Sequence, residues 1–323
     1  MVTKWSELRE RIPTVNDLLE SPPLRALSER WNQSVVAAGV RSFVQELKAD
    51  VERRRGEGQF PSVTELAARA ARHVARLQQP SLRPAINATG DLFGPKWIGR
   101  PLADDALQQI VAFGHGYVAA ETADGYSDGA IAALCRSTGA KHAAVVHSYA
   151  GAIWLAIAAL AGSKEVLIGR SEVVDIEPGC SLAELTASAG AVLREVGAVN
   201  RASSADYETA ASDRSAAILS SAPETHCLIG ETQTVELDEL VAVARDRELP
   251  LIDALGSAPL VDDLPTVEDS LRSAAASIAA GANLVVLRGD GLVGGPRCGL
   301  LLGDRDLLRR IARHPMFAAW HAD

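Results

Sequence analysis

Aromatic side chains are scarce in this chain. They make up 4% of its 323 residues, so alanine, leucine and valine must fill most of the interior. Cysteine is scarce too, and Cys135, Cys180, Cys227 and Cys298 lie far apart. No Cys-x-x-Cys pair occurs, which argues against a zinc or dithiol redox motif. Sparse, uneven cysteines fit a reducing, cytoplasmic setting. The opening MVTKWSELRERIP lacks the apolar core of a signal peptide. The run 143–162 has the length of a bilayer span. His147, Ser148 and Gly151 interrupt it, however, and it reads as a buried strand, a turn and a buried helix. Neither an internal repeat nor a low-complexity tract is present. Hydrophobic residues at 47% argue against disorder. The length allows one large core plus a smaller unit.

The net charge of −9 is unevenly spread. Residues 1–85 hold 14 Lys/Arg and 10 Asp/Glu, and the remainder hold 18 and 31. A basic N-terminal unit on an acidic body can face nucleic acid, or it can be ordinary solvated helix surface.

Residues 1–80 have helical spacing. Trp5, Leu8, Ile12 and Val15 form one stripe, and Pro22-Pro23 marks a break. A third helical stretch covers 35–51, residues 56–61 read as a turn or linker, and Ser62 with Glu65 predicts a capping box before a helix over 63–77. Arg69, Arg72 and Arg76 fall on one face of that helix, either as phosphate contacts or as a solvated face. From Pro84 onward apolar runs alternate with helical patterns. Strands are expected at 143–146, 165–168, 191–196, 216–219, 250–253 and 284–287. Helices are expected at 150–161, 182–188, 207–211, 237–247 and 267–280. This alternation predicts an α/β fold with a mainly parallel sheet. Ligands of such sheets bind beyond the carboxyl ends of the strands, where His147-Ser148, Ser220-Ser221, Asp253 and Asp290 are expected.

Three segments carry the candidate chemistry. The stretch 283–304 has two apolar runs around a turn rich in glycine: Gly289, Gly291, Gly294 and Gly295. In one large group of pyridoxal phosphate (PLP) enzymes such a turn presents a lysine that forms a Schiff base with the cofactor. Asp253 closes an apolar run, where a carboxylate needs a positive partner. It is either the partner of a protonated pyridine nitrogen or a structural hydrogen-bonding group. Ser148 and Gly151 open a helix, where free backbone N–H groups attract phosphate. Arg100, behind a glycine-containing loop, is an anion-binding candidate, and Lys96 lies on that loop.

Together these segments resemble the bacterial L-seryl-tRNA(Sec) selenium transferase, or selenocysteine synthase, family. The strings that carry the resemblance are IPTVNDLL (12–19), RPAINATG (83–90), TGA (138–140), EVGAVNR (195–201), DALGS (253–257), and Gly289-Asp290 with Gly294-Gly295-Pro296. The resemblance implies a fold-type-I PLP-dependent transferase (aminotransferase-like) core over 83–323. A small all-α domain over 1–82 would precede it and contact tRNA. It also implies conversion of seryl-tRNA(Sec) to selenocysteyl-tRNA(Sec), with Ser148, Gly151, Asp253, Ser257, Gly294 and Gly295 around the cofactor and Arg100 on an anion. Family active sites form between subunits, so a homo-oligomer is expected, and neither metal nor membrane is implied.

The chain departs from the family pattern at the site itself. Gly291 stands where the family has its Schiff-base lysine. His147-Ser148-Tyr149 replaces an asparagine-rich phosphate turn. The loop 90–100 keeps only Arg100, and residues 125–128 have lost an Arg–Gly turn. After His314-Pro315 the family's further arginines are missing, and the sequence stops at Asp323, where the family continues into a C-terminal domain. The expectation is a degenerate relative with no catalytic residue at the Schiff-base position, binding PLP noncovalently if at all. The alternatives are an active transferase that borrows a lysine from another position or subunit, and a non-catalytic tRNA-binding or regulatory paralogue paired with an intact one.

Overall fold

The structure is a computed structural model that describes residues 11–53, 60–80, 82, 84–91, 100–117, 128–222, 228–262 and 271–322. Trp5, Leu8, the loop with Lys96, residues 125–127, Cys227 and the first part of the expected helix 267–280 lie outside these. The chain divides into two compact units, Met1–Ala88 and Thr89–Asp323.

The first unit is helical: α1 (Val15–Leu19), α2 (Pro22–Arg30), α3 (Gln33–Arg53) and α4 (Val63–Leu77). Pro22 and Pro23 are the first residues of α2, where a missing N–H costs nothing. Leu18, Leu24, Val36, Val40, Val44, Leu66, Ala70 and Val74 form its core. Gly39 lets α3 approach α4, since a Cβ there would sit 2.9 Å from Val74. Ser62 caps α4 by accepting from the Glu65 amide at 3.2 Å, while the Glu65 carboxylate pairs with Arg69 at 2.6 Å.

The second unit begins with α5 (Asp104–Gly114) and α6 (Asp128–Thr138), then alternates strand and helix. The run 143–162 becomes β1 (His142–Val146), a turn and α7 (Tyr149–Ala161). No described helix is long and apolar enough to cross a membrane. Then come β2 (Glu165–Gly169), the hairpin β3 (Asp175–Glu177) and β4 (Cys180–Ser181), α8 (Leu182–Ser188), β5 (Val192–Val196), α9 (Ser204–Ala210) and β6 (Ser215–Ser221). The remaining elements are α10 (Leu237–Asp246), β7 (Leu251–Gly256), α11 (Ala274–Ala280), β8 (Leu284–Arg288), β9 (Gly299–Gly303), α12 (Arg305–Ala312) and α13 (Phe317–Trp320).

Seven strands form one sheet in the order β1-β9-β8-β7-β6-β2-β5. The pairs that β9 makes with β1 and β8 are antiparallel, and the other pairs are parallel. Six strands therefore point one way and β9 runs against them. The central strands are buried on both faces, as continuous apolar runs require. One face packs Ile252, Ala254, Val286 and Leu301 under α7, α8 and α12. The other packs Leu167, Ile218 and Leu251 beside α10, and Val285, Leu287 and Leu300 beside residues of α6 and α11.

One expectation needs correction. Asp253 does not close its strand but is the third of six residues in β7. Ala254 and Gly256 continue the ladder opposite Val286 and Leu287 of β8. Side chains alternate along a strand, so Asp253 shares a face with Leu251 and Leu255.

Helix α10 ends in a Schellman cap, with Leu249 N–H on Ala244 O at 2.9 Å and Glu248 N–H on Arg245 O at 3.2 Å. The left-handed position of that cap is held by Glu248, whose φ of 56° makes it the one non-glycine residue with positive φ among the described residues. That conformation costs an L-residue about 1–2 kcal/mol, and glycine's greater unfolded-state freedom offsets about 0.4–1 kcal/mol of any gain. Glu248→Gly is therefore expected to raise the urea midpoint, by about 0.5–1 kcal/mol in stability. A lowered midpoint would contradict this account of the cap.

Candidate functional site

The glycine turn after β8 folds back on itself. Gly289 donates to Cys298 O at 2.9 Å, Gly295 to Gly289 O at 2.8 Å, and Gly294 to Gly291 O at 3.1 Å. Gly294 takes a left-handed φ of 72°, which suits glycine. Gly291 faces the loop that follows β7. A Cβ built on it would lie 2.8 Å from Ser257 Cα, 2.9 Å from Ser257 Cβ and 3.1 Å from Ser257 Oγ. A side chain at position 291 thus meets backbone that would have to move.

Asp253 is completely buried. Arg272, just ahead of α11, donates from Nη2 to Asp253 Oδ1 at 2.9 Å and from Nε to Ser277 Oγ at 3.0 Å. Asp253 Oδ2 has no hydrogen-bond partner. Burial pushes the Asp253 carboxyl above its ordinary pKa, while Arg272 and a hydrogen bond from Ser277 pull it down. Beyond β2, Glu172 Oε2 accepts from the Ser221 amide at 2.7 Å. The fully buried Tyr207 turns its hydroxyl toward the same place. A Cβ on Gly169 would sit 3.0 Å from Glu172 Oε1 and 3.1 Å from that hydroxyl. Burial and Glu172 both raise the phenol's pKa.

A second group gathers where β8 ends. Arg288 lies over the Tyr149 ring, 5.5 Å from its centroid. It reaches Asp290 Oδ1 at 3.4 Å and Glu177 Oε1 at 3.5 Å. Glu177 also pairs with Arg297, and Arg100 stands 3.9 Å from Asp290 Oδ2. Arginines and carboxylates alternate here, so much of the positive charge is met within the protein. At the start of α7, Ser148 Oγ accepts from the Gly151 amide at 3.0 Å, which occupies one of the N–H groups that an anion would use. The Trp320 ring packs where a Cβ on Gly151 would be, and His147 donates to Trp320 O at 2.7 Å.

The structure therefore brings Ser257 against Gly291, while Asp253 lies four residues earlier, inside β7, and meets Arg272. Arg100, the glycine turn and the start of α7 are joined through Asp290, Arg288 and Tyr149. Reading the sequence missed Arg272, Glu172 and Tyr207, none of which belongs to a motif. Arg288 left a visible signal as the one charged residue ending the run LVVLR. Lys141 and Lys164 are the lysines among the described residues of this unit. Lys141 bonds Asp304 at 2.7 Å and Lys164 bonds Asp213 O at 3.4 Å. They precede β1 and β2, at the sheet edge opposite the carboxyl ends of the parallel strands. Lys96 lies outside the described residues. Among the described residues, no group of three or more His, Cys, Asp or Glu could hold a metal ion.

The seven-stranded sheet with one reversed strand, together with an acid on its central strand and a glycine turn after the next, defines a fold-type-I PLP-dependent transferase core. The family model for L-seryl-tRNA selenium transferase matches residues 86–323. The L-seryl-tRNA(Sec) selenium transferase of Geobacter sulfurreducens is 32% identical over 327 residues, covering 97% of this chain and 69% of that protein. That of Edwardsiella ictaluri is 31% identical over 320 residues, covering 96% and 68%. The chain belongs to the L-seryl-tRNA(Sec) selenium transferase family. Among solved structures, D-glucosaminate-6-phosphate ammonia-lyase aligns with a TM-score of 0.53 at 22% identity. The alignment covers 65% of this chain and 56% of that one, and it bears on the fold alone.

PLP is the cofactor around which this fold and family are built. Among the described residues, those at this turn do not fit its covalent attachment. Position 291 has no amine, Ser257 fills the space beside it, and one oxygen of Asp253 is taken by Arg272. Burial is the largest influence raising the Glu172 carboxyl from its ordinary 4.5 to about 7; Asp253 adds to the rise, while the Ser221 amide and Arg272 oppose it.

The folded protein keeps the Glu172 proton to higher pH than the unfolded chain does, so ionising it opposes folding. Stability is expected to fall as pH rises from 4.5 to about 7, with Asp253 contributing in the same direction. Glu172→Gln should flatten that fall, measured as urea midpoints at several pH values across the range. Parallel slopes in the two proteins would contradict the assignment.

Proposed function

We propose that this chain is a selenocysteine-synthase-like protein that has lost the Schiff-base step. It does not convert seryl-tRNA(Sec) by itself. The observation that carries this reading is Gly291 at the end of β8, with Ser257 backbone filling the space a side chain would need. Enzymes remove roughly 8–23 kcal/mol from a barrier, a Schiff-base amine contributes as nucleophile and base, and glycine replaces neither role. The remaining role is binding, in the cytoplasm, to tRNA(Sec) through the helical segment 1–82. Two features support that contact: the relatives carry tRNA(Sec) in their names, and Arg69, Arg72 and Arg76 recur along α4. On this reading the 83–323 core assembles with copies of itself or with a lysine-bearing paralogue, and Ser148, Gly151, Gly294, Gly295 and Arg100 are remnants of a cofactor and anion site.

The test is reduction with borohydride after incubation with PLP, followed by mass spectrometry of the intact chain. The expected result is no pyridoxyl adduct at the pocket and no aldimine absorbance. A single lysine carrying a stoichiometric pyridoxyl group would overturn the proposal and favour a transferase that uses a lysine from elsewhere.

A further inference from the structure

We propose that Arg272 occupies the corner of the pocket that Asp253 would otherwise offer to a pyridine nitrogen, so that the chain excludes reversibly bound PLP as well as covalent PLP. The inference rests on the reading that no Schiff base forms, and goes one step past it.

The argument begins with the cost of burying a carboxylate. Asp253 has no solvent exposure, so its charge needs a partner inside the protein. A pyridinium N–H is one such partner, and a guanidinium is another. Here the guanidinium is in place. Arg272 meets Oδ1 at 2.9 Å and is steadied by Ser277 Oγ at 3.0 Å. The backbone that presents it is held as well. Ser273, fully buried, caps α11 by accepting from Ala276 N–H at 3.0 Å. Ala274 N–H donates to Pro259 O at 2.9 Å and Ala275 N–H to Leu260 O at 3.0 Å. The loop after β7 therefore does two things. Its Ser257 fills the space at Gly291, and its Pro259 and Leu260 carbonyls tie down the segment that carries Arg272.

Charge balance points the same way. With Arg272 paired and the neighbouring Glu172 protonated, the corner is neutral, and a cationic ring would add an uncompensated positive charge. Asp253 Oδ2 is buried and without a hydrogen-bond partner, and its contribution can be isolated by substitution.

The experiment is equilibrium dialysis of the full chain against PLP up to millimolar concentration, read from cofactor absorbance. The wild type is expected to retain no PLP above background. Arg272→Ala is expected to retain it at least about tenfold more tightly, and adding Asp253→Asn to that variant should abolish the gain. If Arg272→Ala fails to fold by circular dichroism, Arg272→Gln takes its place, since it keeps a donor for Asp253 while removing the charge. Unchanged uptake in the folded Arg272 variant overturns the proposal. Uptake by the wild type that Asp253→Asn removes also overturns it, because Oδ2 would then be receiving the ring. Borohydride treatment of the same dialysed samples separates the two readings. A pyridoxyl-lysine in the wild type defeats the loss of the Schiff base, whereas reversible, Asp253-dependent uptake defeats only the exclusion by Arg272.

Discussion

A carboxylate with no water around it sets the terms for the centre of this protein. Asp253 sits on the middle strand of a seven-stranded sheet, sealed from solvent, and Arg272 meets its charge at 2.9 Å. Removing Arg272 would leave the buried Asp253 carboxyl without its cation. The segment holding Arg272 is consequently under constraint, and so is the 257–260 loop to which it is hydrogen-bonded. That loop also borders Gly291, so the identity of residue 291 and the fate of Asp253 are physically connected. Ser257 lies against Gly291, and the segment that follows supplies Arg272, the cation that the buried carboxylate needs.

The rest of the pocket has a similar self-sufficiency. Arg288 lies on Tyr149 and reaches two carboxylates, Glu177 and Asp290. Ser148 spends its hydroxyl on the Gly151 amide. Groups that could receive phosphate or carboxylate from a ligand are largely satisfied by one another. Burial raises the carboxyl of Glu172, beside Ser221 and Tyr207, from its ordinary value to about 7.

Much of the fold was legible because buried parallel strands must be continuous apolar runs. The strand expected over 165–168 and the helix expected over 63–77 match β2 and α4. The pattern failed at β7, where the expected strand 250–253 stops short although β8 pairs with it as far as Gly256. Of the site, Asp253 and the glycine turn were visible as a charge and a cluster out of keeping with their surroundings. Arg272 was not visible. Its partner is 19 residues away, and only the loop geometry aims it at a carboxylate rather than at water. Glu172 and Tyr207 were hidden for the same reason: each matters through what it meets across the sheet end, and a linear string does not encode that meeting.

The most direct view of the central claim is a crystal structure of the full chain grown with excess PLP. The account predicts Arg272 on Asp253, Ser257 against Gly291, and no pyridine ring beside either. A ring stacked in the pocket with its nitrogen on Asp253, and Arg272 displaced to make room, would contradict it.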